Sequence, residues 1–123
     1  GFIGGGLDSA VGYTHFVACR MDAMWSLVAG CFSRTQSINR KSAETYRVPA
    51  GRTYGDWKKL LKDEAGRLDA VIILLPTPDH PEAVIAALNA GYSVICEKAL
   101  ATSVAECLAI KEAVDRTKGF LAV

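Results

Sequence analysis

Apolar and polar positions fall into two kinds of block along this chain, and the blocks alternate. Val71-Ile72-Ile73-Leu74-Leu75 is apolar at five successive positions, the pattern of a strand covered on both faces at the centre of a parallel sheet. Shorter blocks at Phe2-Ile3, Trp25 to Phe32, Tyr92 to Cys96 and Phe120 to Val123 predict further strands. Between them the spacing becomes helical. Ala10 to Met21 places Ala10, Thr14, Val17, Ala18 and Met21 on one side of a helix. The polar stretch from Ser33 to Ser42, with Ile38, Ala43 and Tyr46 as a buried stripe, predicts a short helix that Val48 and Pro49 end. Tyr54 to Leu61 carries Trp57, Leu60 and Leu61 on one side of a second small helix, followed by a loop over 62–68.

The remaining helices announce their ends. Pro81 suits a first helical turn, and Gly91 is placed to cap the helix that runs through Ala90. Ser103 with Glu106 three positions later matches a capping box, and Val104, Cys107, Leu108, Lys111 and Val114 continue that helix until Gly119. Strand, crossover helix and strand repeated in this way predict an α/β fold, a doubly wound parallel sheet in three layers.

Composition narrows the function without naming it. With 123 residues, half of them hydrophobic, the chain is one domain with enough apolar side chains for a core. Fourteen Lys and Arg against thirteen Asp and Glu leave almost no net charge, so neither a nucleic acid nor an anionic membrane surface is expected as a partner. The cysteines Cys19, Cys31, Cys96 and Cys107 show no C-x2-C spacing; no metal site is expected, and free thiols fit a cytoplasmic protein. No apolar run is long enough to span a bilayer. The abrupt glycine-rich start and the closing apolar run predict that both ends are cuts in a longer chain.

The first candidate site is Gly4-Gly5-Gly6, after the first strand and before the first helix. A tight turn there lets amide N–H groups at the helix start face an anion, and a side chain at the positions of Gly4 and Gly6 would block a pyrophosphate. In the simple dinucleotide fingerprint a third glycine would stand at residue 9, which is Ser9, flanked by Ala10; the next glycine is Gly12, so the turn is lengthened. The pattern predicts a Rossmann-type dinucleotide site. No acidic residue follows the second strand to hold the adenosine ribose. Ser33 offers a hydroxyl to it, and Arg34 offers a partner for a 2'-phosphate or a plane to stack on adenine, which leans the choice between NAD and NADP mildly toward NADP. A solvent-facing Arg34 with no ligand is the alternative.

Ligands of open α/β sheets sit beyond the carboxyl ends of the strands. Pro76-Thr77-Pro78-Asp79-His80 follows the central strand there, and Glu97-Lys98 follows the next. Lys98 is the candidate catalytic residue, since an ammonium beside the nicotinamide can polarise or protonate a substrate oxygen. Glu97 would orient it or contact the cofactor. His80 would bond near the carboxamide or pack at the helix entrance, and His15 reads as structural.

Taken together these residues resemble the family of glucose-fructose oxidoreductase, inositol dehydrogenase and MocA-like proteins, over essentially the whole chain. Pro76-Thr77-Pro78-Asp79-His80 is similar to its Thr-Pro-Asn-x-x-His segment, with Leu75 and Thr77 replacing the threonine and asparagine. Ala90-Gly91-Tyr92-Ser93-Val94-Ile95-Cys96-Glu97-Lys98 resembles its Ala-Gly-Lys-His-Val-x-x-Glu-Lys-Pro element, with Ala99 in place of a proline that commonly makes a cis bond. For Ala99 the expectation is trans.

The resemblance implies that residues 1–123 are the NAD(P)-binding domain of an oxidoreductase acting on CH–OH groups, with Gly4, Gly6, Ser9, Ala10, Ser33, Arg34, Pro76, Thr77, His80, Glu97 and Lys98 as cofactor neighbours. It implies a C-terminal mixed α/β, mostly sheet, domain that binds a sugar, cyclitol or related polyol and through which copies of the chain associate. Without that domain the 123 residues are expected to bind cofactor but not to turn over. Two other readings remain: a catalytically silent cofactor-binding protein of the same fold, and a flavodoxin-like or methyltransferase-like domain with a different ligand at the same sheet edge.

Overall fold

The computed structural model describes residues 1–123. Its centre is a five-stranded parallel sheet in the order β2-β1-β3-β4-β5, formed by β1 (Phe2–Gly4), β2 (Gly30–Cys31), β3 (Ala70–Leu74), β4 (Ser93–Cys96) and β5 (Leu121–Ala122). The helices between them are α1 (Gly12–Arg20), α2 (Gln36–Thr45), α3 (Trp57–Asp63), α4 (His80–Asn89) and α5 (Val104–Thr117), with short 3-10 turns at Ala50–Arg52 and Thr77–Asp79.

The continuous apolar run of β3 has the expected cause. Its odd-numbered residues, Val71 and Ile73, join Ile3, Cys31, Val94 and Cys96 in a core closed by Leu60 and Leu61 of α3, Ala83, Val84, Ala87 and Leu88 of α4, and Ile110 and Ala113 of α5. Its even-numbered residues, Ile72 and Leu74, face the other way with Phe2 and Phe32, into a second core built by Ala43 of α2, Tyr46 and Val48, with Val11, Phe16 and Cys19 packed at its edge. Successive strand side chains point to opposite faces, so a strand between two helical layers needs an apolar residue at every position.

Four elements differ from the sequence expectation, the first being α3, which starts at Trp57 instead of Tyr54 and takes in Lys62 and Asp63 of the expected loop. Of the strand expected from Trp25 to Phe32, Gly30–Cys31 is formed, paired with Phe2 and Ile3 of β1; Met24 and Trp25 are solvent-exposed. α1 presents a different face from the expected one. Ala10, Thr14, Val17, Ala18 and Met21 are exposed, while Val11, Gly12, His15, Phe16 and Cys19 turn inward. Gly12 sets that rotation: a Cβ there would lie 2.0 Å from the Gly5 carbonyl oxygen, so only glycine lets the helix start against the turn. Phe16 is then carried onto Tyr46, with ring centroids 4.8 Å apart. Finally, α5 ends one residue early: Lys118, not Gly119, takes the left-handed conformation at its C-terminus. The capping box at its start is present in full, Ser103 accepting from the Glu106 amide and Glu106 from the Ser103 amide.

The sheet places all loops with candidate chemistry at one edge. Strand order reverses between β1 and β3, and the carboxyl ends flanking that reversal carry the glycine turn, Ser33-Arg34 and the Pro76–Asp79 segment. A crevice opens at such a switch point. No helix is long and apolar enough to cross a membrane.

Candidate functional site

A cavity of about 750 Å³ occupies that crevice, within the size range of small-molecule and cofactor sites. Gly4, Gly5 and Gly6 form its floor, with Ser9, Ala10 and Val11 leading into α1; Ser33 and Arg34 line it from β2 and Pro76 from the loop after β3.

The turn has no room for side chains. Gly4 and Gly5 have φ of +84° and +73°, a region open chiefly to glycine. A Cβ at Gly4 would stand 2.5 Å from the Leu74 carbonyl oxygen, and one at Gly6 3.0 Å from that of Phe32. The first-turn amides of α1, at Gly12, Tyr13 and Thr14, have no carbonyl behind them in the helix, and the helix dipole adds positive potential at the same end. Backbone donors, a helix start and a side-chain-free approach fit a dinucleotide pyrophosphate.

α2 holds this turn in place without reaching the cavity. Ser42 Oγ accepts from the Leu7 amide at 3.0 Å and donates to the Ile38 carbonyl at 2.7 Å. The buried Tyr46 hydroxyl donates to the Gly5 carbonyl at 3.0 Å. Buried Asn39 does the same for the loop after β2: its Oδ1 accepts from the amides of Phe32 (2.8 Å) and Ser33 (3.3 Å), and its Nδ2 donates to the Tyr54 carbonyl at 2.9 Å. Every buried side-chain polar atom here has a partner, which favours one loop conformation.

Arg34 faces solvent but is paired. Its Nη2 donates to Asp79 Oδ2 at 2.8 Å, joining the loop after β2 to the turn after β3. Asp8, Asp56, Asp79 and Glu82 all line the cavity, and Arg34 is its only cationic lining residue. Lys58 is drawn off to Glu82 at 2.6 Å.

Thr77, His80, Glu97 and Lys98 lie outside the cavity lining. His80 is buried at the entrance of α4, its Nδ1 2.9 Å from the Ala99 carbonyl oxygen and its Nε2 2.7 Å from that of Leu75. Two of the positions that depart from the family motif, Leu75 and Ala99, thus meet at His80 through their backbone carbonyls. The Lys98–Ala99 peptide is cis, which corrects the expectation of trans, and the Ala99 carbonyl is the atom that His80 holds. Glu97 is anchored by its amide to the Ile73 carbonyl at 3.0 Å. Its Oε1 accepts from His15 Nε2 at 2.8 Å, and its Oε2 accepts from the Lys98 amide at 3.2 Å, with Lys98 Nζ at 3.9 Å. The hydrogen bond from His15, with smaller help from Lys98, holds the Glu97 carboxyl below the usual carboxylate range. Lys98 Nζ itself extends into solvent.

Residues outside the expected set of cofactor neighbours therefore shape much of the site. His15 bridges α1 to the end of β4, Gly12 closes the turn, and Asp8, Asp56, Trp57 and Glu82 form walls. Gly12 was visible as the next glycine, whereas His15 sat in a helix whose inward face was misassigned. The walls at 56–57 carry no local motif.

A family model described as "Oxidoreductase family, NAD-binding Rossmann fold" matches residues 1–123. The inositol 2-dehydrogenase/D-chiro-inositol 3-dehydrogenase of Shouchella clausii is 35% identical over 92% of this chain and 31% of its own. An inositol dehydrogenase homolog from Azotobacter vinelandii, solved in complex with NAD+, superposes with a TM-score of 0.91 at 32% identity, over 98% of this chain and 32% of its own. The same relative solved with NADH and myo-inositol gives a TM-score of 0.90, also at 32% identity with 98% and 32% coverage. The chain spans about a third of the length of each.

Proposed function

The chain belongs to the oxidoreductase family with an NAD-binding Rossmann fold that includes inositol dehydrogenases, and from that premise we propose that it carries the cofactor half of an enzyme moving a hydride between a nicotinamide dinucleotide and a secondary alcohol, or the matching ketone, of a sugar, cyclitol or related polyol. The observation that carries this reading is the meeting of the glycine turn and the Glu97-Lys98 loop at one sheet edge, tied by the 2.8 Å His15–Glu97 bond.

Gly4, Gly6, Ser9 and Ala10 would hold the pyrophosphate, with Ser33 at the adenosine ribose and Pro76 and Thr77 along the dinucleotide. The cofactor, when bound, supplies the hydride acceptor for oxidation or the donor for reduction. Lys98 offers its exposed ammonium to the substrate oxygen. That contact favours loss of the hydroxyl proton in one direction and polarises the carbonyl in the other. His15 keeps Glu97 ionised, and Glu97 holds the Lys98 amide, so the ammonium starts from a fixed base. The proton itself would be exchanged by a group on a second, substrate-binding domain, a division supported by the chain's covering a third of its relatives.

On the choice of cofactor, the pairing of Arg34 with Asp79 and the carboxylates of Asp8 and Asp56 in the same cavity support NAD, against the lean toward NADP drawn from Arg34 alone. Titration calorimetry on the chain with NADH and NADPH, and rate measurements on the full-length protein with a polyol panel, test the proposal. Lys98→Met is expected to keep cofactor affinity within about threefold and to lower kcat by roughly 10²-fold or more. No binding of either cofactor, or a Lys98→Met enzyme with wild-type kcat, would overturn it.

A further inference from the structure

We propose that Asp79 is a cofactor-specificity residue, one that delivers to the adenosine-ribose mouth, from the turn after β3, the carboxylate that the end of β2 lacks, and so makes the chain take NAD in preference to NADP. The proposal rests on the dinucleotide reading above.

Three observations support it. Asp79 and Arg34 come from loops 45 residues apart in sequence and meet at 2.8 Å, both as lining of the same cavity. Their side chains are 44% and 85% exposed, and so open an ion pair contributes little to holding a fold together; its placement matters to whatever enters the cavity. Arg34 is also the only cation in a lining with four carboxylates.

A chain committed to NAD ordinarily carries an acidic residue at the end of β2, where it accepts from the ribose hydroxyls and repels a 2'-phosphate. The residues at that point here are Ser33 and Arg34, which by themselves would welcome a phosphate. Asp79 changes the balance by taking one donor edge of the guanidinium and offsetting its charge. A 2'-phosphate, with a charge between about −1.5 and −2, would then meet a neutral pair flanked by Asp8 and Asp56, with Glu82 itself offset by Lys58. An unphosphorylated ribose brings no charge and can still use the remaining guanidinium N–H groups and the carboxylate oxygens.

The test is the ratio of dissociation constants for NADP and NAD, measured by titration calorimetry on the chain and on its Asp79→Asn, Arg34→Gln and doubly substituted variants. The wild-type chain is expected to prefer NAD. Asp79→Asn is expected to move the ratio about tenfold toward NADP, the scale of removing one like charge at a solvent-exposed site. Arg34→Gln in the Asp79→Asn background is expected to reverse most of that gain, because the released guanidinium is what receives the phosphate. Asp79→Ser provides a second removal of the charge, with the same direction expected. A wild-type preference for NADP, or a ratio unmoved in both Asp79 variants while NAD still binds, overturns this inference alone. Failure of the wild-type chain to bind either dinucleotide overturns the reading beneath it as well.

Discussion

Replacing Gly12 by alanine puts a methyl carbon 2.0 Å from the Gly5 carbonyl oxygen and 2.5 Å from its carbon, where ordinary contact begins at 3.4 Å. Both obstructing atoms are backbone, so no rotamer change relieves the clash. The turn and the start of α1 must separate by more than an ångström, and the Gly5 carbonyl is already held on its other side by the Tyr46 hydroxyl. Forcing one extra methyl into a filled space costs about 1–3 kcal/mol, which corresponds to roughly 5- to 150-fold in a dissociation constant if expressed at the cofactor site. The assay is a pair of measurements on Gly12→Ala: calorimetric affinity for NADH, and thermal unfolding followed by circular dichroism. Affinity is expected to fall within that range and the midpoint to drop by about 3 °C or more. Gly51→Ala is the control, since a Cβ there meets nothing within 4 Å. A Gly12→Ala chain with wild-type affinity and wild-type midpoint would show that the turn and helix are not in contact as described.

Two further predictions concern the body of the domain. Glu64 is fully buried, with Arg52 Nε donating to it at 2.9 Å and the Tyr54 hydroxyl at 2.8 Å; the Arg52 hydrogen bonds, then that from Tyr54, hold its carboxyl below the usual range. Because the folded-state value is depressed, its stabilisation is complete above the unfolded value near pH 4.3 and disappears as pH falls through the folded one. Glu64→Gln is expected to cost about 3 kcal/mol at pH 7 and to flatten the loss of stability between roughly pH 5 and 3, and urea unfolding at the two pH values checks it; a pH dependence parallel to wild type would refute it. Burial pushes the Cys31 and Cys96 thiols up to about 11 and about 12, so at pH 8 a maleimide is expected to label the partly exposed Cys19 and Cys107 in the folded chain and all four cysteines only in denaturant. Peptide mapping by mass spectrometry reads the outcome, and native labelling at Cys96 would contradict it.

The parts of this fold that the sequence revealed are those where local pattern and tertiary environment agree. β3 is apolar at every position because both faces are covered, and α5 begins at a capping box that works through neighbours three residues apart. Both were legible. The expectation for β2 is too long: of the apolar run from Trp25, Gly30 and Cys31 pair with β1, and Trp25 is exposed. The inward face of α1 was misjudged because it is set by a backbone contact between Gly5 and Gly12, while the helix carries exposed apolar residues such as Val17 and Met21 that imitate a buried stripe. The site divides in the same way. The glycine turn and the Glu97-Lys98 pair are contiguous motifs and were visible. The His15–Glu97 and Arg34–Asp79 pairs join residues 82 and 45 positions apart, and a single sequence carries no local sign of such pairs.

The His15–Glu97 bond also has a bearing on when the site can exist. A ribosome exposes α1 early, yet His15 has no partner until β4 has been made and has paired beside β3, which already lies against β1. Contacts of that sequence separation form late, after the loops they close have lost their freedom. A nascent chain that has emerged only as far as Ala90 contains the whole glycine turn and the helix that braces it, but neither Glu97 nor the lysine beside it. The glycine turn and the lysine loop are thus completed at different times during synthesis, and the hydrogen bond that joins them forms only once β4 stands beside β3.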